Sequence, residues 1–505
     1  MAPAFIGIDL GTSACKVIAL SGDGVVIAKA MRDYPVHTDR PGWSEQDPSD
    51  WWRATDEAVR ALVSGLPSDS EIAGIGLCGQ MHGLTALDEG DRVIRRAILW
   101  NDQRAAPECD WITEQMGGLD KLIEATENRM LPGFTGGKII WLRDHEPDNY
   151  ARMKSLLNPK DYIRLLMTGE HMTEVSDASG TGLFDVRERR WADALLDRID
   201  VPRELLPDVV ESIDQTGKLR DELAEDWGLP KGLPVFGGGG DAVIQTTAMG
   251  LIDRGPVGVT LGTAGIVAGG SDFCPENPDG RVQVSCGNAP GRWHVMGVSL
   301  SAGGAFAWAR DALRPLVGGE QLPFTTLIDL ARKSPAGSKG LLFLPYLLGE
   351  RSPHVAPEAS AAWIGLTPMH DVSDMVRSVV EGVLLNLREI VAVAAEAGLQ
   401  PTKIVASGGA TNDPFWLEML TDILGTTVVT VAGAPEGGAQ GAAMAAGVGT
   451  GFWGTLEDAA GQVRETHAFE PDAERQATYE RVFEAHRRLY GHLGAAFEDV
   501  AAAAG

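Results

Sequence analysis

Apolar runs that stop at glycine-rich segments recur along the chain and predict buried strands that end in turns. One run covers residues 5–10, a second covers 15–20, and Gly11-Thr12-Ser13 separates them. This pattern predicts a β-hairpin with small hydroxyl side chains at its tip. A third strand is expected at 25–30, so the chain is predicted to open as a three-stranded meander. The dipeptide Asp47-Pro48 is then expected to cap and start a helix.

The same pattern returns near the middle of the chain. Strands are expected at 257–261 and 266–268, around the turn Gly262-Thr263-Ala264-Gly265. Exposed N–H groups and a threonine hydroxyl at such a tip can hold phosphate oxygens without obstruction from side chains. Two Leu-Gly-Thr hairpins in two halves of one chain therefore indicate an internal duplication of a phosphate-binding element.

Between the hairpins, an apolar run at 233–236 leads into four glycines, which we interpret as a strand that runs into a turn. Asp241 then stands where a helix is predicted to begin, so it could serve as the N-cap. Gly237, Gly239 and Ala242 also fit the dinucleotide-binding pattern G-x-G-x-x-A. The hairpin that follows argues against that interpretation, because a Rossmann unit would continue into a crossover and a parallel strand.

Polar residues follow several predicted strands at the point where each strand ends. α/β proteins place ligand contacts at this position, so these residues are candidates for a binding cleft. For His82, a role in satisfying nearby backbone groups remains an open alternative. The strands at 72–78, 93–99 and 403–407 are followed, respectively, by Gln80-Met81-His82, by Trp100-Asn101, and by Gly408-Gly409 with Asn412.

Composition narrows the function classes. A chain of 505 residues is expected to form two to four units, and 44% hydrophobic with 22% charged residues is typical of a globular protein. A formal net charge of −27 disfavours nucleic-acid binding, which needs a basic face. The five cysteines form no C-x-x-C pair, which is typical of reduced thiols in a cytoplasmic protein. The sequence shows no basic leader and no long apolar stretch, so no membrane partner is expected.

An ordered series of motifs resembles the FGGY family of carbohydrate kinases. The series covers nearly the whole chain, from about residue 5 to past 449, and is far more specific than any one motif. Its members are IGIDLGTSACKVIAL, WSEQDP, GQMHG, ILWNDQRA, MLPGFTGGKIIWL, NPKDYIRLLMTGE, SDASGT, GGGGDAV, LGTAG, FLPYLLGERSPH and ASGGATND.

The resemblance implies an α/β, two-lobed actin-like ATPase (ribonuclease H-like) fold. Each lobe would be a mixed sheet with flanking helices, residues 1–235 forming the N-terminal lobe and 236–505 the C-terminal lobe. ATP and a small-molecule sugar would bind in the cleft, and a homodimer is expected. The implied reaction is Mg²⁺-dependent phosphorylation of a sugar hydroxyl. D-xylulose is the expected acceptor, and ribulose, ribitol, erythritol and glycerol are the alternatives.

The resemblance also implies roles for single residues. Asp241 would be the general base, and Asp9 would position Mg²⁺ through water. The sugar would contact Gln80, Met81, His82, Trp100, Asn101 and Asp241. ATP would contact Thr12, Ser13, Gly262, Thr263, Trp308, Gly408, Gly409 and Asn412.

One position departs from the pattern of the most similar family members. They carry Asn directly after the catalytic Asp, where it touches the sugar, and this chain has Ala242. The departure concerns the identity of the sugar rather than phosphoryl transfer. Two other classes remain as alternatives: a non-catalytic actin-like assembly protein, and a nicotinamide-dependent dehydrogenase that rests on the G-x-G-x-x-A match alone.

Overall fold

Two mixed β-sheets organise the protein, which we describe from a computed structural model. The structure describes residues 3–277, 279–317, 322–432 and 436–504. The first sheet has six strands. The first two strands in spatial order pair antiparallel, and so do the last three. The two pairings in the middle of the sheet are parallel. In spatial order its strands are Gln215–Lys218, Pro234–Gly240, Ile72–Gly79, Ala4–Leu10, Ala14–Ser21 and Val26–Asp33.

The second sheet has seven strands and repeats this arrangement. An antiparallel meander again leads into two parallel pairings and ends on an antiparallel edge strand. The internal duplication predicted from the two hairpins is therefore present in the sheet topology. In spatial order its strands are Gln283–Cys286, Trp293–Ser299, Gly265–Ser271, Pro256–Leu261, Lys403–Ser407, Val428–Val431 and Glu465–Phe469.

Five short strand pairs lie outside the two sheets: Glu45–Gln46 with Ala97–Ile98, Thr85–Leu87 with Ser155–Leu157, Met172–Glu174 with Asp208–Val210, Phe184–Asp185 with Arg190–Trp191, and Leu342–Leu344 with Ala362–Ile364. The strand predicted at 93–99 is reduced to its last part, because the backbone of Ile94 turns to bond Ala86.

Helices flank both sheets and fill the connections. The first of them begins as the sequence predicts, with the Asp47 carboxylate accepting the Ser49 N–H at 2.9 Å. The α-helices are Pro48–Ser64, Ala106–Gln115, Leu119–Thr126, Thr135–His145, Pro147–Arg152, Pro159–Thr168, Val175–Ser179, Asp193–Ile199, Asp221–Trp227, Asp241–Ala248, Gly303–Val317, Phe324–Ala331, Val372–Glu396, Pro414–Leu424, Gly437–Gly449, Leu456–Ala460 and Ala473–Ala504. Short 3₁₀ helices cover Arg203–Leu205, Ser338–Gly340 and Gly409–Asn412.

The helix Gly437–Gly449, which we call the crossing helix, follows a strand of the second sheet but packs on the first. Its backbone lies directly on two strands of that sheet. A Cβ atom added at Gly7 or Gly76 would come within 1.8 and 1.9 Å of carbonyl oxygens of the helix. Only glycine at these two positions allows so close an approach. The crossing helix therefore joins the two halves of the chain in one hydrophobic core.

The sequence predicts a turn at the four glycines before Asp241, and this prediction is wrong. The glycines form the end of the strand Pro234–Gly240, which pairs parallel with Ile72–Gly79 in the first sheet. Gly238 has a φ of 71° and lies so close to Leu77 that a Cβ would meet its carbonyl oxygen at 1.6 Å. Close backbone approach, rather than chain reversal, explains the glycines. The lobe boundary between 235 and 236 stays a prediction.

Candidate active site

Two aspartates meet at the carboxyl edge of the first sheet. In the register of its parallel strands, Asp9 lies beside Cys78, which in turn lies beside Gly239. Asp241 follows that strand after one further residue. Neighbouring strands are about 4.8 Å apart, so both carboxylates belong to the same site.

Asp9 lies at the end of the first strand, half-buried, where burial raises the pKa of its carboxyl group. The thiol of Cys78 donates to Asp9 Oδ1 at 3.2 Å. The crossing helix begins against the same carboxylate, since a Cβ added at Gly438 would lie 2.7 Å from Asp9 Oδ2. The partial positive charge of a helix N-terminus favours an anion at this position.

Asp241 is the first residue of the helix Asp241–Ala248, and Gly240 occupies the N-cap position. Its Oδ1 accepts the backbone N–H of Ala242 at 2.7 Å. The capping alternative is thus only partly met, because the carboxylate binds the adjacent N–H rather than one a turn further on. Burial first, and then the charge of Asp9, raise the pKa of Asp241 to about 7. A carboxylate with such a pKa is suited to accept a proton at neutral pH.

A buried polar network fixes the turn that presents Asp241. The Ser176 hydroxyl accepts the Gly240 N–H at 3.1 Å and donates to Glu174. Asn288, from the other half of the chain, donates to Ser212 at 3.0 Å and accepts the hydroxyl of Thr247. Ser176 therefore supports the short turn that carries Asp241, a role that the sequence did not reveal.

Next to Asp241, Ala242 lines a narrow cavity between the two sheets, which we call the sugar-side cavity. Met81 and His82 line it from the first half of the chain, as the sequence predicts for a binding cleft. The opposite wall comes from the second sheet, which sequence reasoning missed. There, the Nε2 atom of the buried His294 has no hydrogen-bond partner among the described residues.

His82 is held in one orientation. Its Nδ1 contacts the carbonyl oxygen of Gly180, its ring stacks on Phe134 with centroids 4.7 Å apart, and its φ is 68°. Because a carbonyl only accepts, Nδ1 carries the proton and Nε2 is an acceptor. Burial lowers the pKa of His82 to about 3, so the ring is neutral. His82 therefore does satisfy a backbone group, as one interpretation of the sequence proposed, but it does so through Nδ1 only. Its Nε2 atom remains available to a ligand.

Three further residues predicted at the sugar do not line the sugar-side cavity. Gln80 is fully buried beneath the first hairpin, where it donates to Gln46 at 2.8 Å. Trp100 donates its indole N–H to the Thr12 hydroxyl at 2.9 Å, so it links the segment after the strand Ala97–Ile98 to the first hairpin. Asn101 is exposed and does not line the sugar-side cavity. The long-range pairing of Gln80 with Gln46 left no local sequence signal.

The tips of the two hairpins face solvent with small side chains. Ser13 and Thr263 are exposed, and Thr12 is partly exposed. The carbonyl of Thr263 accepts the Ala302 and Gly304 N–H groups, which ties the second tip to the start of the helix Gly303–Val317. Both tips are thus available for the phosphate-binding role predicted from their sequence.

A cavity of about 680 Å³ opens beside the second hairpin. Among the residues predicted at ATP, Gly262, Thr263, Gly409 and Asn412 line it. Gly408, with a φ of 94°, packs against the backbone of Leu261 behind the wall. The aromatic wall consists of Phe306, Phe324 and Trp416. The centre of the Phe306 ring lies 5.7 Å from that of Phe324 and 5.4 Å from that of Trp416.

The prediction that Trp308 lies at this cavity needs correction. Trp308 does not line it, and its ring packs 5.6 Å from that of Trp363 and 6.1 Å from that of Phe343. Phe306, two residues earlier on the same helix, faces the cavity instead. Residues two apart on a helix point about 200° apart, so only the packing decides which aromatic side chain reaches the site.

Comparison with known proteins agrees with this geometry. The N-terminal domain of the FGGY family of carbohydrate kinases matches residues 4–250, and its C-terminal domain matches residues 258–450. The chain belongs to this family. It is therefore an ATP-dependent carbohydrate kinase, with the two-lobed actin-like fold that the motifs implied.

Individual relatives of the kinase match over nearly their full length. It is 38% identical to the xylulose kinase of Escherichia coli K12, over 97% of this chain and 99% of that one. It is 36% identical to the xylulose kinase of Bacillus subtilis 168, over 96% of each chain. The ligand-bound xylulose kinase structure from Lactobacillus acidophilus superimposes with a TM-score of 0.93 at 25% identity, over 99% and 100% of the two chains.

The kinase offers few protein ligands to a metal. No cluster of three or more histidine, cysteine or carboxylate side chains that could hold one occurs among the described residues. Family members use ATP with a divalent metal ion. A magnesium ion bound to nucleotide usually takes only one or two protein carboxylates beside phosphates and water, so Asp9 and Asp241 fit that requirement. In the described part of the chain, no helix has the length and apolar character to cross a membrane.

Proposed function

We propose that the enzyme transfers the γ-phosphoryl group of ATP to D-xylulose and forms D-xylulose 5-phosphate. The observation that carries the choice of sugar is the near full-length identity of 38% to a xylulose kinase. The proposal is further supported by the sugar-side cavity, which is lined by Met81, His82 and Ala242, the residue after Asp241. Ala242 leaves the choice among related ketopentoses and polyols to experiment.

In the proposed reaction, Asp241 accepts the proton of the sugar hydroxyl while that oxygen attacks the γ-phosphorus. The bond between this phosphorus and the bridging oxygen breaks in line, and ADP leaves with the electron pair. The phosphoryl group needs positioning and charge stabilisation more than covalent help. The two hairpin tips supply backbone donors, and the 680 Å³ cavity is proposed to hold the adenosine.

We assign Mg²⁺ as the divalent metal, held by Asp9 through water. Burial raises the pKa values of Asp9 and Asp241, and the charge of Asp9 adds to the rise at Asp241, so a nearby divalent cation would offset that cost. When bound, Mg²⁺ neutralises charge on the phosphates during transfer. Water could also attack ATP, and the narrowness of the sugar-side cavity favours its exclusion once the sugar is bound.

The test is a coupled ATP-consumption assay with D-xylulose, D-ribulose, L-ribulose, L-xylulose, erythritol, ribitol and glycerol, each with and without Mg²⁺. We expect the highest kcat/KM with D-xylulose and no activity without the metal. ATP consumption that no sugar stimulates would favour the actin-like assembly alternative. Fluorescence quenching by NADH would revive the dehydrogenase alternative, which the hairpin after Asp241 opposes.

We also propose that the enzyme is a homodimer and acts in the cytoplasm. The five cysteines are all buried and unpaired, which suits a reducing compartment that also supplies ATP. Light scattering after size-exclusion chromatography tests the dimer, since a monomer mass would contradict it. Cell fractionation tests the location.

A further inference from the structure

Arg351 stands in the segment that follows the strand Leu342–Leu344, and its backbone is fixed on both sides. Its own N–H binds Glu350 Oε1 at 2.9 Å, and the next residue, Ser352, bonds the carbonyl oxygens of Val298 and Arg281. The Glu350 carboxylate is fully occupied, because its other donors are Ser299, Leu300 and Asn386.

The guanidinium group of Arg351, by contrast, has no hydrogen bond or ion pair with any residue that the structure describes. Burial lowers its pKa, with only the attraction of Glu350 acting against that effect. The donors of this guanidinium are not used by the protein, so they can be offered to a ligand that supplies acceptors. The fixed backbone and the unpaired head group together indicate a side chain kept ready for a ligand.

Arg351 faces the sugar side of the active site. It lines a second narrow cavity, and four of the residues in the wall of that cavity also line the sugar-side cavity, so the two cavities lie side by side. Its positive charge also contributes to the low pKa of His82. Arg351 therefore lies on the far side of the wall that Ala242 and His82 face, close enough for its charge to act on His82. The shared wall consists of Asn128, Phe134, Gln283 and Met296.

We propose that Arg351 is a specificity-determining residue that donates hydrogen bonds to the carbonyl end of the sugar, so that the enzyme selects ketoses over the corresponding polyols. The proposal rests on the proposed function, in which the hydroxyl beside Asp241 is at the opposite end of an open-chain ketose. A guanidinium only donates and a carbonyl oxygen only accepts, so the two are complementary.

Geometry adds discrimination to this pairing. Donors approach a carbonyl oxygen best in the plane of the carbonyl group, and the guanidinium is a planar, rigid fork. Reduction to a polyol makes that carbon tetrahedral and replaces the acceptor by a hydroxyl group. The charged hydrogen bond is then weakened, while contacts at the reacting end are unchanged.

The experiment compares Arg351→Gln and Arg351→Lys with wild type on D-xylulose and on its two reduction products, xylitol and D-arabinitol. We expect Arg351→Gln to lower kcat/KM for D-xylulose by about 10- to 100-fold, the value of a charged hydrogen bond. Polyol use, or competitive inhibition where turnover is too slow, should change less than about threefold. The lysine variant should lie between, because it keeps the charge and loses the fork.

Arg487→Gln is the matched control, since Arg487 forms an exposed pair with Glu484 on the C-terminal helix. An equal fall on ketose and polyol, with an unchanged melting temperature, would overturn the proposal, and so would no change on D-xylulose. If the wild type prefers another ketose, the proposed sugar is wrong, and that ketose is compared with its own polyols. A wild type that accepts only polyols would overturn the role of Arg351.

Discussion

At the scale of single residues, the proposed mechanism depends on the carboxylate of Asp241. Asp241→Asn keeps the shape of the side chain but cannot accept a proton. We expect kcat to fall by about 10²- to 10⁴-fold, with nucleotide affinity nearly unchanged. Steady-state kinetics and ADP titration measure both quantities. Asp253→Asn, at an exposed aspartate, is the control. Near-normal turnover of Asp241→Asn would mean that the carboxylate only supports the helix start.

The pH dependence of kcat/KM follows from the same residue. The base works only when deprotonated, and the pKa of Asp241 is raised to about 7. Activity should therefore fall about tenfold per pH unit below that value and level off above it. Because the charge of Asp9 contributes to the shift, saturating Mg²⁺ should move this limb to lower pH. A profile that stays flat through pH 7 at low Mg²⁺ would contradict the assignment.

In the proposed complex, Ala242 is expected to determine how tightly the sugar is held beside Asp241. It lines the sugar-side cavity, whereas Gln245 packs towards Gly437 and Asn101 is exposed, so neither supplies an amide there. Ala242→Asn should raise kcat/KM for D-xylulose by about 2- to 12-fold through one hydrogen bond. Ala242→Leu, of similar size without the amide, should give no gain. A fall with both variants would show that the cavity has no room.

At the scale of elements, the contact of the crossing helix with the first sheet requires glycine. Gly7→Ala would place a Cβ within 1.8 Å of the Ala439 carbonyl oxygen, so the helix must move. Overpacking of this kind destabilises by at least about 1–3 kcal/mol, and the melting temperature should drop clearly. Gly491→Ala, at a helical site with nothing within 4 Å, should raise it slightly. Equal melting temperatures would contradict the close packing.

At the scale of the whole molecule, neither half of the chain completes its own core. Residues 1–250, which match the N-terminal family domain, would lose the crossing helix that covers the first sheet. A fragment of these residues should be insoluble or should unfold without a cooperative transition, since its apolar sheet face is exposed. Co-expression with 251–505 should rescue it. A soluble fragment with a sharp melting transition would contradict this dependence.

Much of the site could be predicted because its signals are local. Alternating and continuous apolar runs gave both hairpins, and the Asp47-Pro48 start gave the first helix within its observed bounds. The placement of Asp241 after a strand and at a helix start was also correct. Each of these features depends on residues that are near one another in the sequence, where backbone propensity and capping act directly.

Tertiary structure alone decided the features that join distant segments. The sequence determined two duplicated hairpins and the position of the acid between them. Only the packing showed that the four glycines continue a strand, that Phe306 rather than Trp308 lines the cavity beside the second hairpin, and that Arg351 lies next to the sugar-side cavity. The physical reason is range: a local pattern fixes the conformation of its own segment. Which surface that segment meets depends on partners up to several hundred residues away.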